Sequence, residues 1–310
     1  GQHVKTVRGP QGTRHALRVD GLRPGTGYGY AALEGSTPVG KGTFKTNLGP
    51  EGGRFRFAVV GDTGSGNANQ HAVAKQMAAW KPDFVVVTGD VVYERGEEAN
   101  YQSRFFQPYA PMLSSTVFYP SLGNHDYGQG HATPYKLFFD PPGAVPGEQW
   151  YTFRYGQAQF FGLDSNLPFH PGSEQHAWLK QQLEASAAPW KFAFFHHPPY
   201  SSGAHGSSHT LRKAWGPLFE KHDVQLVLTG HDHHYERITP REDFVKDGTP
   251  TSYLVTGGGG AWLRKYKPQV FTAKAALAYH FVGITVEGDT LRAEAIAKDG
   301  SVIDRFTIRR

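Results

Sequence analysis

The chain has 310 residues, enough at roughly 150 per domain for about two domains and a large buried core. It contains no cysteine, which excludes disulfides, thiolate catalysis and cysteine-ligated zinc or iron–sulfur sites, and its 19% charged residues are too few for a disordered polyelectrolyte. Lys and Arg (32) exceed Asp and Glu (27) but are spread along the chain, with no nucleic-acid tract, and the longest apolar run, Ala275–Tyr279, is far too short to span a bilayer.

The chain begins at Gly1 with neither an initiator Met nor a signal peptide, which implies a processed start. Residues 1–47 read as short β-strands. Ala16–Val19 and Tyr28–Ala31 are strand-like, and Leu22–Gly27 between them is a turn. Residues 47–53 read as a linker. From Arg54 the pattern becomes alternating: strand Phe55–Val60, helix Asn69–Trp80, strand Phe84–Val87, helix Glu97–Phe106, strand Thr116–Tyr119. A hairpin follows over Trp150–Tyr155 and Gln159–Leu163, then helix Ser173–Ala187, strand Phe192–Phe195, helix Thr210–Lys221 and strand Val224–Leu228. From Tyr253 the chain is mostly β, with alternating strands Val282–Val286, Leu291–Ile296 and Val302–Ile308. This order predicts a layered α/β architecture with sheets in the middle.

The ends of the strands carry the chemistry. Phe57–Val60 runs into Gly61-Asp62-Thr63-Gly64, Phe84–Thr88 into Gly89-Asp90-Val91-Val92-Tyr93, and Tyr119–Leu122 into Gly123-Asn124-His125-Asp126. Phe192–Phe195 runs into His196-His197-Pro198, and Val227–Thr229 into Gly230-His231-Asp232-His233. Sites in open α/β sheets form outside the carboxyl ends of the strands, so these side chains should converge. A glycine precedes four of the five polar residues and is expected to permit a sharp backbone turn. Histidine is also clustered: eight of the sixteen lie between His196 and His234. Any one Gly-Asp or Gly-Asn-His is ordinarily a turn; five such ends in one chain are not. Asp, Asn, Tyr and His without thiolate suit Fe, Zn or Mn. The ligands outnumber the needs of one ion and fit two, ~3.5–4 Å apart and sharing a carboxylate, an arrangement suited to phosphate-ester hydrolysis.

On these motifs, residues 55–237 resemble the metallophosphoesterase superfamily. Most of its members place a metal-binding His two residues after the first Asp. Here that position is Gly64, and Tyr93, three residues after Asp90, is the evident replacement. Together with Gly230-His231-Asp232-His233-His234-Tyr235-Glu236-Arg237, this resembles the purple acid phosphatase branch. Leu22–Tyr30 resembles the later strands of a fibronectin type III sandwich, in which a Tyr at a strand start tethers the preceding turn.

The resemblance implies a layered α/β/β/α metallophosphoesterase sandwich. A partial fibronectin type III-like segment at 1–48 would precede a calcineurin-like di-metal domain at 54–310. It implies that Asp62, Tyr93 and His233 hold a first ion, expected to be Fe(III). Asn124, His196 and His231 would hold a second (Fe, Zn or Mn), and Asp90 would bridge the two. The implied reaction is phosphate monoester hydrolysis by in-line attack of metal-bound hydroxide. His125 would stabilise phosphate charge or protonate the leaving group, Asp126 would orient His125, and His205, with His209 as the alternative, would be a second catalytic histidine. The substrate would be a small-molecule phosphate ester, and the location secreted or periplasmic. The competing functions are a phosphodiesterase or nucleotide pyrophosphatase on the same metal core, and a non-catalytic binding protein.

Several other features receive plainer readings. Gly257–Gly260 is read as a tight turn near the site, His197 and His234 as neighbours of the ligands, and Tyr235–Arg237 as structural. Tyr127–Gly147 is read as a long loop shaping substrate entry. His3, His15, His71 and His222 receive no function.

Overall fold

A computed structural model describes residues 3–128, 130–142, 150–238 and 250–310. Its strands are β1 (Gly27–Glu34), β2 (Thr37–Lys45), β3 (Phe55–Val60), β4 (Phe84–Thr88), β5 (Val117–Ser121), β6 (Tyr151–Tyr155), β7 (Ala158–Gly162) and β8 (Trp190–Phe194). They continue with β9 (Leu226–Thr229), β10 (Tyr235–Ile238), β11 (Ser252–Thr256), β12 (Thr272–Ala276), β13 (His280–Glu287), β14 (Thr290–Ala297) and β15 (Val302–Arg309). The α-helices are α1 (Ala68–Trp80), α2 (Gln107–Leu113), α3 (Thr133–Phe138), α4 (Glu174–Glu184) and α5 (His209–Lys221).

Two large sheets pack face to face. One has six strands in the order β15-β14-β13-β3-β4-β5; the other has seven, β12-β10-β11-β9-β8-β7-β6. Strands β3, β4 and β5 are mutually parallel, and so are β7, β8, β9 and β11. These central strands are buried on both faces, which is why they read as unbroken apolar runs. The period of two sorts their side chains. Phe57, Phe84, Phe192 and Leu228 enter the core between the sheets, where the Phe57 ring meets that of Phe160 edge-on at 5.2 Å. Ala58, Val60, Val85 and Val87 face outward onto Val73 and Met77 of α1 and Tyr109 of α2. On the opposite side Ala193 and Val227 pack under Leu179 of α4 and Trp215 of α5. The result is the α/β/β/α layering expected from the sequence.

The helix starts have local causes. Asn67 caps α1 by accepting from the N–H groups of Asn69 and Gln70, and Ser173 caps α4 by accepting from His176 N–H. Lys81 closes α1 in the left-handed region.

The fold departs from the sequence reading at four places. Residues 16–19 form no strand and are exposed; among the described residues no strand pairs with them. The continuous helix expected over Glu97–Phe106 is instead a 3₁₀ turn (Glu98–Asn100), a π turn (Gln102–Phe106) and then α2, in which Pro108 and Pro111 carry no N–H. Strand β10 was not anticipated, and β2 and β12 fall in stretches read as β in which they were not placed individually. The loop expected over Tyr127–Gly147 contains α3, pinned by Tyr135 Oη donating to Pro120 O at 2.7 Å; residues 129 and 143–147 of it lie outside the described residues.

Strands β1 and β2 form a separate antiparallel pair. The Tyr28 hydroxyl accepts from Arg23 N–H at 3.0 Å, tethering the preceding turn as the pattern there suggested. This segment meets the rest through Tyr30 Oη donating to Ser114 O (3.0 Å), Lys45 facing Asp83 (3.6 Å) and Leu48 against the inter-sheet core.

Candidate metal centre

Asp62, Asp90 and Asn124 follow β3, β4 and β5 of the six-stranded sheet; His196 follows β8 and His231 and His233 follow β9 of the seven-stranded sheet. The carboxyl ends of both parallel sets therefore face one point. The Tyr93 hydroxyl lies 3.1 Å from Asp62 Oδ1, 2.8 Å from Asp90 Oδ2 and 3.1 Å from His233 Nε2. A second group adjoins it. His196 Nε2 is 3.4 Å from Asp90 Oδ2, 3.1 Å from Asn124 Oδ1 and 3.2 Å from His231 Nδ1. The structure thus brings together all seven residues expected as ligands, in two groups that share Asp90.

Gly89 makes the sharp turn the sequence suggested, at φ 90°, whereas Gly123 and Gly230 have a different reason. Asp62, Asp90 and His231 themselves adopt positive φ (56°, 51° and 69°). The glycines beside them make room. A Cβ at Gly123 would lie 2.1 Å from Asp90 Oδ1, and one at Gly230 2.4 Å from Asp62 Oδ2. At Gly64 a Cβ would meet Val91 O at 2.1 Å, so the loop carrying Tyr93 fills the space of any side chain there. Gly64 O also accepts from Tyr93 N–H at 2.9 Å, which fixes that loop. The Gly257–Gly260 run packs the same way: Gly259 N–H donates to Gly61 O (2.9 Å), supporting the first loop.

Backbone carbonyls set the histidines. His196 Nδ1 faces Thr88 O at 2.9 Å, and His233 Nδ1 faces Trp262 O at 2.6 Å. A carbonyl only accepts, so each Nδ1 carries a hydrogen and each Nε2 is the nitrogen that faces the centre, the one a metal ligand would use on losing its proton. Burial alone would raise Asp90, but the neighbouring His196 and His125 outweigh it and hold the carboxyl well below its usual range. Burial would lower His196, but the Asp90 charge pushes it up to about 10. A proton between these two groups occupies the electrostatic niche that a cation would take. Burial, reinforced by Asp62 and Asp90, drives the Tyr93 phenol well above its ordinary value. Burial and the surrounding imidazoles drive His231 down and keep it neutral. Anionic oxygens and neutral imidazole nitrogens in this arrangement fit a pair of hard-to-borderline cations.

The remaining predicted residues are placed as follows. His125 lies beside the centre, its ring 4.5 Å from that of Tyr93, and its Nδ1 binds Glu94 O. Asp126 is buried and does not reach the His125 imidazole. Its carboxylate accepts from the N–H groups of Val91 (3.0 Å), Val92 (3.3 Å) and Gly123 (2.9 Å), so it ties together the loops that carry Asp90 and Asn124. Burial and the Asp90 charge raise it to about 7. His205 lies at the rim with its ring 4.2 Å from that of His231. His209 is exposed at the first turn of α5.

Some neighbours were not foreseen. His197 was expected beside the ligands, and its ring lies 4.4 Å from that of His231; what the sequence did not reveal is its hold by Ser165, whose hydroxyl is 2.8 Å from Nδ1. Trp262, 46% exposed, packs its ring 5.7 Å from Tyr93 and 5.5 Å from His233. An exposed Trp just after a glycine run was the only available signal. Asp232, fully buried between two ligands in sequence, stood in plain view inside the motif.

Residues 55–235 match the calcineurin-like phosphoesterase family, and the chain belongs to it. Within that class its similarity runs to purple acid phosphatases. Purple acid phosphatase 7 of Arabidopsis thaliana is 28% identical over 249 residues, covering 70% of this chain and 74% of that protein. An uncharacterized Mycobacterium tuberculosis protein is 26% identical over 302 residues, covering 77% of this chain; the chain spans just over half, 56%, of its length. Purple acid phosphatase PPD1 from yellow lupin seeds superimposes with a TM-score of 0.84 at 23% identity, over 93% of this chain and 60% of the lupin chain. The fold is therefore that of a purple acid phosphatase structure. The family's chemistry is phosphoester hydrolysis at a di-metal centre.

Proposed function

We propose that this chain hydrolyses phosphate monoesters of small molecules in the manner of purple acid phosphatases. The observation that carries the reading is the buried Tyr93 hydroxyl held among Asp62, Asp90 and His233, where a histidine at position 64 could not fit. Asp62, Tyr93 and His233 would hold one ion, Fe(III) by the hardness of a phenolate, and Asn124, His196 and His231 the other (Fe, Zn or Mn), with Asp90 shared. When bound, the pair supplies Lewis-acid charge at the phosphoryl oxygens and brings the pKa of a coordinated water toward neutrality.

The chain's own groups do the rest. His125 keeps Nδ1–H on Glu94 O, so Nε2 is the nitrogen free to bind a phosphate oxygen or carry a proton. His205, exposed at the rim over His231, gives a proton to the departing alkoxide. His209 is the weaker alternative, being placed on α5 away from these contacts. Asp126 positions backbone rather than His125. We further read residues 1–48 as a partial fibronectin type III-like segment ahead of a catalytic unit at 54–310, and the protein as exported. No helix among the described residues is long and apolar enough to cross a membrane.

The test compares an aryl phosphate monoester with its bis-aryl diester, using metal-replete protein from pH 4 to 9. A strong monoester preference is expected. A diester preference would keep the site and make the protein a phosphodiesterase; no turnover of either would favour a binding protein.

A further inference from the structure

His205 is held by its backbone alone. Its side chain is exposed, and no hydrogen bond from a described residue reaches its imidazole, which lies against the His231 ring. Where that imidazole points is therefore decided by the 201–206 loop. Two buried side chains grip this loop: Glu236 Oε2 accepts from Ser202 N–H at 2.7 Å, and Asp232, the residue between His231 and His233, holds the end that carries His205. Its Oδ1 accepts from His205 N–H at 2.9 Å. Its Oδ2 accepts from Ser201 Oγ–H at 2.5 Å and from Gly206 N–H at 3.2 Å. Ser201 Oγ in turn accepts from Gly203 N–H at 3.0 Å. The fit leaves no slack, since a Cβ at Gly203 would lie 2.3 Å from Asp232 Cγ. A buried carboxylate accepting three hydrogen bonds is a strong anchor, because charge-assisted bonds are roughly twice as strong as neutral ones.

We propose that Asp232 is a positioning residue which clamps the 201–206 loop and so aims His205 at the leaving group. The inference rests on the reading of His205 as the proton donor. It assigns a task to the residue between the two histidines of the Gly-His-Asp-His motif: the strand end that would deliver two metal ligands also locks the acid. Asparagine at 232 could still accept from His205 N–H through Oδ1 and donate to Ser201 Oγ, but its amide nitrogen could not accept from Gly206 N–H. Alanine would release all three donors.

The test uses the metal-replete protein with Asp232→Ala, Asp232→Asn, Ser201→Ala and His205→Ala. Each is assayed on glycerol phosphate, whose alkoxide needs a proton, and on 4-nitrophenyl phosphate, whose leaving group scarcely does. Metal content and amide hydrogen exchange at residues 203–206 are read alongside. General acid catalysis typically contributes a factor of about 100 or more, so His205→Ala should lose about that in kcat on glycerol phosphate and little on the aryl ester. Asp232→Ala should reproduce this selectivity with two metals retained, KM little changed and faster exchange at His205 and Gly206. Asp232→Asn should lie between it and the parent protein. Combining Asp232→Ala with His205→Ala should cost little beyond His205→Ala alone.

If His205→Ala loses the alkyl ester selectively while Asp232→Ala and Asp232→Asn do not, the positioning role is overturned. It is equally overturned if the Asp232 variants lose both esters alike along with metal, which would mean that the carboxylate merely supports His231 and His233. If His205→Ala itself spares the alkyl ester, the proton-donor reading has failed, and the two failures are thus distinguished. Should Asp232→Ala not fold, Asp232→Asn and Ser201→Ala carry the same comparison.

Discussion

Tyr93 is the residue on which the functional reading turns. Its hydroxyl touches two carboxylates and an imidazole, and its proton is held tightly by burial and by those anions. Only a strong positive charge nearby would make phenolate the stable form. Tyr93→Phe removes the phenol oxygen and little else. In iron-loaded protein it should abolish the visible charge-transfer band, read by absorption spectroscopy; a band that survives the substitution would assign the colour to another chromophore. The residues that converge at the centre were legible because most of them follow an apolar strand end. The carboxylate that grips the 201–206 loop was not, because Asp232 looks like one more polar letter in a histidine-rich stretch. Nor were the carbonyls of Thr88 and Trp262, which select the histidine tautomers, because a backbone oxygen has no signature in sequence.

At the scale of elements, the central strands and three of the five α-helices, α1, α4 and α5, emerge from their apolar patterns. The exceptions are informative. Strands β10 and β12 are short and join the sheet through partners distant in sequence, so their pairing is tertiary. The π turn before α2 depends on packing that periodicity does not encode. One strand contact makes a pH prediction. His280 at the start of β13 is buried, with Nε2 3.1 Å from Thr256 Oγ1 of β11 and Nδ1 2.8 Å from Ala278 O, so it links the two sheets. Burial lowers it to about 4 from 6.5. Its folded pKa is depressed, so the unfolded chain binds the proton first. The stability it contributes is whole above about pH 6.5 and is lost as pH falls toward 4. At 1.36 kcal/mol per pKa unit this is about 3 kcal/mol. Denaturant unfolding of parent and His280→Gln proteins between pH 7 and 4 should show the variant with the shallower loss. Parallel curves would remove His280 from the account.

For the whole molecule, the decisive fact is that each of the two side-chain groups at the centre draws on both sheets. Asp62 and Tyr93 come from the six-stranded sheet and His233 from the other; Asn124 comes from the first and His196 and His231 from the second. Metal binding should therefore stabilise the two layers against separation. A ligand at about 1,000 times its Kd adds about 4 kcal/mol. Stripping both ions with a chelator should lower Tm by several degrees in calorimetry, and restoring them should recover it. An unchanged Tm after verified metal loss would show that the sheets alone hold the centre together.

Gly64 also bears on descent. The loop that delivers Tyr93 occupies the volume that a histidine at position 64 would require, so the tyrosine and histidine versions of the first ion's coordination exclude one another on this backbone. No single replacement converts one into the other. A lineage crossing between them must pass through an ancestor missing a ligand, or move the loop first.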